Sequence, residues 1–195
     1  MNRLVRKASA YLLLIASVLF VLFILFPRTY DVPELQPRAG TQFWHLSTGS
    51  KIGYTYFKGK GMRKPFPIIF LNGGPGGAVT DEGIQLRSKF SDDGYDVYLY
   101  DQIGSGQSAR LKNISEYTPE RHRKDLEGII KKIGAEKVIL IGHSWGAILA
   151  VLFAAENQTK IDRIIFTCPG PIYPFRKELL SVKAPDSLHL QAPVF

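Results

Sequence analysis

The sequence predicts an α/β domain, with a mostly parallel sheet covered by helices on both faces, preceded by one transmembrane helix. Three observations carry this reading. Four short apolar runs, Pro67–Leu71, Asp96–Tyr100, Lys137–Ile141 and Ile161–Thr167, alternate with helical segments, as strands buried on both faces of a parallel sheet do. A glycine cluster follows each of the first three runs, where a parallel sheet binds its ligands. Ala8 to Phe26 holds no charge. At about 1.5 Å per residue it spans about 28 Å as a helix, close to the thickness of a bilayer's hydrocarbon core.

In chain order, residues 1–30 read as a membrane anchor built on that helix. Arg3, Arg6 and Lys7 precede it and Pro27 and Arg28 end it. Basic flanks stay in the cytoplasm, so the remainder is expected outside the membrane, in the periplasm or extracellular space. The run exceeds the roughly 7–15 apolar residues of a cleaved signal, and no A-x-A site follows, which favours an uncleaved anchor. Residues 31–40, with Pro33 and Pro37, read as an extended linker.

A core over 41–169 follows. Thr41–Phe57 reads as an antiparallel edge hairpin turning at Thr48-Gly49-Ser50. Thr80 caps a helix running to about Phe90, with Asp81 and Glu82 in its first turn. Thr118 caps a second, with Pro119 at its first position. There Leu126, Ile129, Ile130 and Ile133 form one apolar stripe, and Arg121, Arg123, Lys124, Lys131 and Lys132 are expected on a solvated face. The third helix, from Trp145 to about Glu156, is apolar nearly all round and is expected to be buried. Residues 170–195 are proline-containing and read as the start of a lid.

The composition excludes several chemistries. One cysteine, Cys168, permits no intramolecular disulfide or multi-cysteine zinc site, and the four histidines show no metal spacing. The net charge is +8, but the basic residues form no long run, so nucleic acid is not an expected partner. No metal or organic cofactor is implied.

The glycine clusters carry the chemistry. Gly142-His143-Ser144-Trp145-Gly146 is a G-x-S-x-G between a strand and a helix. Small residues flank the serine because its backbone is strained, and the turn lifts Ser144 clear of the sheet as a nucleophile. Asn72-Gly73-Gly74-Pro75-Gly76-Gly77 is a loop whose amides can approach a ligand closely. In acyl transfer the N–H groups of Gly74 and Trp145 would form the oxyanion hole. Gly73 and His143 support it, with the His143 ring turned away from the Ser144 hydroxyl. Asp101 opens Asp101-Gln102-Ile103-Gly104-Ser105-Gly106-Gln107-Ser108, and its carboxylate is expected to brace that turn.

Read together as NGGPGG, DQIGSGQS and GHSWGA, the three segments resemble the α/β-hydrolase superfamily. Within it they are similar to the proline iminopeptidases, a branch of serine aminopeptidases with the pattern H-G-G-P-G-G, D-Q-R-G-x-G-x-S, G-G-S-W-G. Asn72 and Ile103 stand where that pattern has histidine and arginine. The resemblance covers about Thr41 to Pro169 and implies a serine hydrolase acting on small peptides or esters. It also implies a triad acid and histidine downstream, beyond a lid. Asp186 and His189 are the tail's only such pair and read as lid residues; His45 and His122 read as bystanders on the hairpin and the solvated helix. The chain is therefore expected to be an incomplete, inactive fragment of the hydrolase. The alternatives are an esterase or lipase, and a non-catalytic, membrane-tethered binding protein on the same fold.

Overall fold

A computed structural model describes residues 3–26 and 35–170. The chain divides into two units between residues 34 and 35. The first holds helix α1 (Arg3–Leu25), in which Lys7–Leu25 is long and apolar enough to cross a membrane.

The second unit is a six-stranded mixed sheet. Its strands are β1 (Gln42–His45), β2 (Lys51–Phe57), β3 (Ile68–Leu71), β4 (Val97–Tyr100), β5 (Val138–Ser144) and β6 (Ile161–Pro169), in the order β1-β2-β4-β3-β5-β6. β1, β2 and β4 pair antiparallel; β4, β3, β5 and β6 pair parallel. Alternate residues serve the two faces. Ile69, Leu71, Tyr100 and Leu140 pack under Leu126, Ile129, Leu149 and Phe153 of helices α3 (Pro119–Ile133) and α4 (Trp145–Asn157). Ile68, Phe70, Leu99 and Ile141 face the other way, where Ile84 of α2 (Asp81–Arg87) covers them.

The caps follow local chemistry. Thr80 accepts from the Gly83 N–H and Thr118 from the Arg121 N–H. Gly134 ends α3 with φ 73°, a left-handed position that suits glycine. After Arg87 the chain tightens into a 3₁₀ turn, Ser88–Ser91.

Three expectations change. The α4 helix buries Leu149, Ala150 and Phe153 but leaves Leu152 and Ala155 exposed, because β3, β5, β6 and α3 pack on its inner side only. Arg123, expected in solvent, is only 9% exposed and lies among Glu120, Glu127 and Glu156. Arg121 is half-buried against Ser50. The stretch read as linker is attached to the domain from Leu35 onward. The Gln107 side chain donates to the Gln36 carbonyl, and Arg38 reaches Val79 and Asp101.

Candidate active site

Ser144 ends β5 and precedes α4 with φ 51° and ψ −116°. This left-handed backbone costs a β-carbon-bearing residue about 1–3 kcal/mol. The residues two before and two after it must be glycine. A Cβ on Gly142 would lie 2.6 Å from the Gly146 carbonyl oxygen, and one on Gly146 would lie 2.0 Å from that of Leu71. The helix thus starts in direct contact with the end of β3. Ser144→Gly should relieve the backbone strain, raising the stability of the chain by about 1 kcal/mol in denaturant titration while deleting the hydroxyl.

The glycine loop lies against this turn. A Cβ on Gly73 would meet the Ser144 Cβ at 3.2 Å and the His143 ring at 3.1 Å. The loop closes through Gly77 N–H to the Gly73 carbonyl, and the Gly74 N–H has no hydrogen-bond partner among the described residues. The Trp145 N–H belongs to the first turn of α4, whose amides have no partner within the helix.

A buried amide joins the two segments. The Trp145 indole N–H donates to Gln102 Oε1 at 2.9 Å, and Gln102 Nε2 donates to the Asn72 carbonyl at 2.9 Å. Asn72, in the position of the pattern's histidine, donates to the Tyr100 carbonyl and accepts from Arg87 Nη1 at 2.7 Å. The Arg87 guanidinium sits 5.1 Å from the Phe70 ring centroid, and burial lowers its pKa.

Asp101 is fully buried. Its carboxylate accepts from the Val79 N–H at 2.6 Å and the Gln107 N–H at 2.9 Å, and Arg38 Nη2 lies 3.4 Å away. A Cβ on Gly106 would strike it at 2.3 Å, so the turn wraps the carboxylate. Arg38 also donates to the Val79 carbonyl at 2.7 Å. Asp101 therefore ties the far end of the glycine loop, its own turn and the segment entering the domain.

Gly73, Gly74, Asp101, His143, Ser144 and Trp145 meet at the carboxyl ends of β3, β4 and β5. His143 Nδ1 lies 3.0 Å from the Thr167 carbonyl on β6, to which it donates. The Ser144 hydroxyl has no hydrogen-bond partner among the described residues. Asp186 and His189 lie outside the described residues.

Sequence reasoning missed Gln102, Arg87, Arg38 and His122. His122, read as part of a solvated helix, is 5% exposed and packs edge-on to Trp145 with ring centroids 5.9 Å apart. The signal was present: His122 lies four residues before Leu126 and extends the apolar stripe by one turn. Burial lowers its pKa, Asp125 opposes that and Arg121 reinforces it. The unfolded chain therefore binds a proton more readily below about pH 6.5, and stability falls as pH drops toward the folded-state pKa. The loss of melting temperature between pH 7.5 and 5.5 should be smaller in His122→Leu than in the unmodified protein.

A family model for the alpha/beta hydrolase fold matches residues 67–187. Among curated proteins, the proline iminopeptidase of Saccharolobus solfataricus is 37% identical over 118 residues, 60% of this chain and 37% of the relative. The Heyndrickxia coagulans proline iminopeptidase is 30% identical, over 63% of this chain and 41% of the relative. The chain thus spans about two fifths of their length. Among solved structures, an alpha/beta hydrolase from Novosphingobium aromaticivorans superposes with a TM-score of 0.57 at 26% identity, covering 67% of this chain and 45% of that one. A Mycobacterium smegmatis proline iminopeptidase gives 0.56 at 23% identity, covering 64% and 42%, and shares the fold. By the family-model match over most of its length, and by its sheet order, strained serine turn and glycine loop, the chain belongs to the alpha/beta hydrolase fold family.

Proposed function

We propose that this chain carries the nucleophile half of a membrane-anchored serine hydrolase that removes N-terminal residues, proline among them, from small peptides. The observation that carries the reading is Ser144 at φ 51° between two glycines that admit no side chain, directly against the glycine loop. A strained turn of this kind is retained where it aims a reacting atom.

Ser144 Oγ attacks the scissile carbonyl, and the N–H groups of Gly74 and Trp145 hold the oxyanion. A histidine from outside the described residues takes the serine proton and passes it to the leaving amine; water then releases the acyl group. The relatives' longer chains and a hydroxyl with no partner among the described residues support placing the acid and base outside the described residues. Helix α1 anchors the protein in lipid. Arg3, Arg6 and Lys7 set its N-terminus in the cytoplasm and the hydrolase domain on the far side.

The protein extracted from its native membranes should release an arylamine from a prolyl arylamide. Ser144→Ala should lower the rate by a factor of about 10³ or more. Cleavage of short esters without the arylamide would move the assignment to an esterase. Unchanged cleavage in Ser144→Ala would refute it.

A further inference from the structure

A cavity of about 330 Å³ opens between the glycine loop and the start of α3, walled by Pro75, Ile103, Tyr117, Pro119, His122 and Trp145. Two of its walls adjoin the amides assigned to the oxyanion: Pro75 follows Gly74, and Trp145 carries the second amide itself. A carbonyl held there would direct one flanking group into this space.

The cavity is built rather than incidental. Its floor is tight, since a Cβ on Gly104 would strike the Tyr117 ring at 2.4 Å. The Tyr117 hydroxyl is fixed by the Leu111 N–H at 2.7 Å, and the Trp145 indole by Gln102. Ile103, 3% exposed, puts an apolar wall where the family pattern has arginine. His122 is 5% exposed and lines the cavity, and neither ring nitrogen has a hydrogen-bond partner among the described residues. The ring nitrogens are not sealed from solvent, so a ligand's own polar atom can take the place of water on the imidazole. Neutral imidazole offers one donor and one acceptor. Apolar walls penalise a charged occupant and favour an uncharged one.

We infer that this cavity is a subsite for an uncharged, largely apolar group, up to the size of a phenyl ring, carrying one polar atom that hydrogen-bonds His122. Its use as a substrate subsite rests on the assignment of Ser144; its occupancy by a neutral ligand does not.

The probe is benzamide, titrated into the full chain in detergent micelles with ¹⁵N-labelled tryptophan. The two indole signals, Trp44 and Trp145, are assigned with Trp44→Phe. Benzamide should shift the Trp145 signal saturably and leave Trp44 unmoved. Benzoate and benzylamine, its charged analogues, should bind at least about tenfold more weakly. His122→Leu should weaken benzamide about fivefold, the equivalent of one hydrogen bond, and Ile103→Arg should place benzoate ahead of benzamide. An unmoved Trp145 signal, charged analogues that bind equally well, or full affinity in His122→Leu would overturn the inference. The comparison among ligands needs no variant to fold. Peptide cleavage without a benzamide response refutes the subsite and leaves the hydrolase standing; a benzamide response without cleavage does the reverse.

Discussion

Asp101→Ala should lower the stability of the domain by about 3–5 kcal/mol, the cost of breaking a buried ion pair and leaving its partner uncompensated. Three groups lose their acceptor at once. The Val79 and Gln107 N–H groups lose bonds of 2.6 and 2.9 Å, and Arg38, with a side chain 13% exposed, loses its counter-charge. Against a total of roughly 5–15 kcal/mol this removes a large share of the stability. The melting temperature should fall by roughly 10–20 °C. Asp101→Asn keeps an oxygen for one of the two amides and should lose less. Arg38→Gln should lose less still, because both amides continue to hold the carboxylate. Thermal unfolding of the three variants checks this order. An Asp101→Ala protein as stable as the parent would mean that the turn does not depend on its carboxylate.

Gly146→Ala should be similarly severe, by about 3 kcal/mol or more, through sterics alone. The added methyl would stand 2.0 Å from the Leu71 carbonyl oxygen and 2.9 Å from that of Asn72. Both are backbone atoms, so no rotamer change relieves the clash. The α4 helix must move away from β3, separating Trp145 from the glycine loop it bounds. Gly128→Ala is the matched control. That glycine is also helical, but its Cβ would meet only Leu46 side-chain atoms at 3.4–3.6 Å. It should be neutral or stabilising by about 0.5 kcal/mol. Equal behaviour of the two variants in denaturant titration would refute the contact between α4 and β3.

Much of this was legible because the governing interactions are local. The caps at Thr80 and Thr118 accept from amides three residues on, and the elbow is written in five consecutive residues. The strands β3, β4 and β5 announced themselves as apolar runs because both faces of the sheet are covered there, whereas β6, equally apolar in sequence, leaves Ile165 and Phe166 each 43% exposed. What was not legible depends on partners far apart in sequence. Arg38 looked like one charge in a polar, proline-containing stretch, and its partner lies 63 residues away. The link from Trp145 through Gln102 to Asn72 joins three segments that share no local pattern. His122 was misplaced for a different reason. Its basic neighbours Arg121, Arg123 and Lys124 suggested solvent, whereas helical spacing puts it on the Leu126 side. The burial of Arg123 has the same origin, since it needed Glu156 on α4 to pair with as well as Glu120 nearby.

The most direct test of the central claim is covalent. A fluorophosphonate probe, applied to the protein isolated from its source and followed by peptide mapping, labels a serine whose hydroxyl is activated. Modification is predicted at Ser144 alone, and none in Ser144→Ala. A protein that stays unlabelled, or is labelled at another serine, would contradict the assignment of Ser144 as the nucleophile.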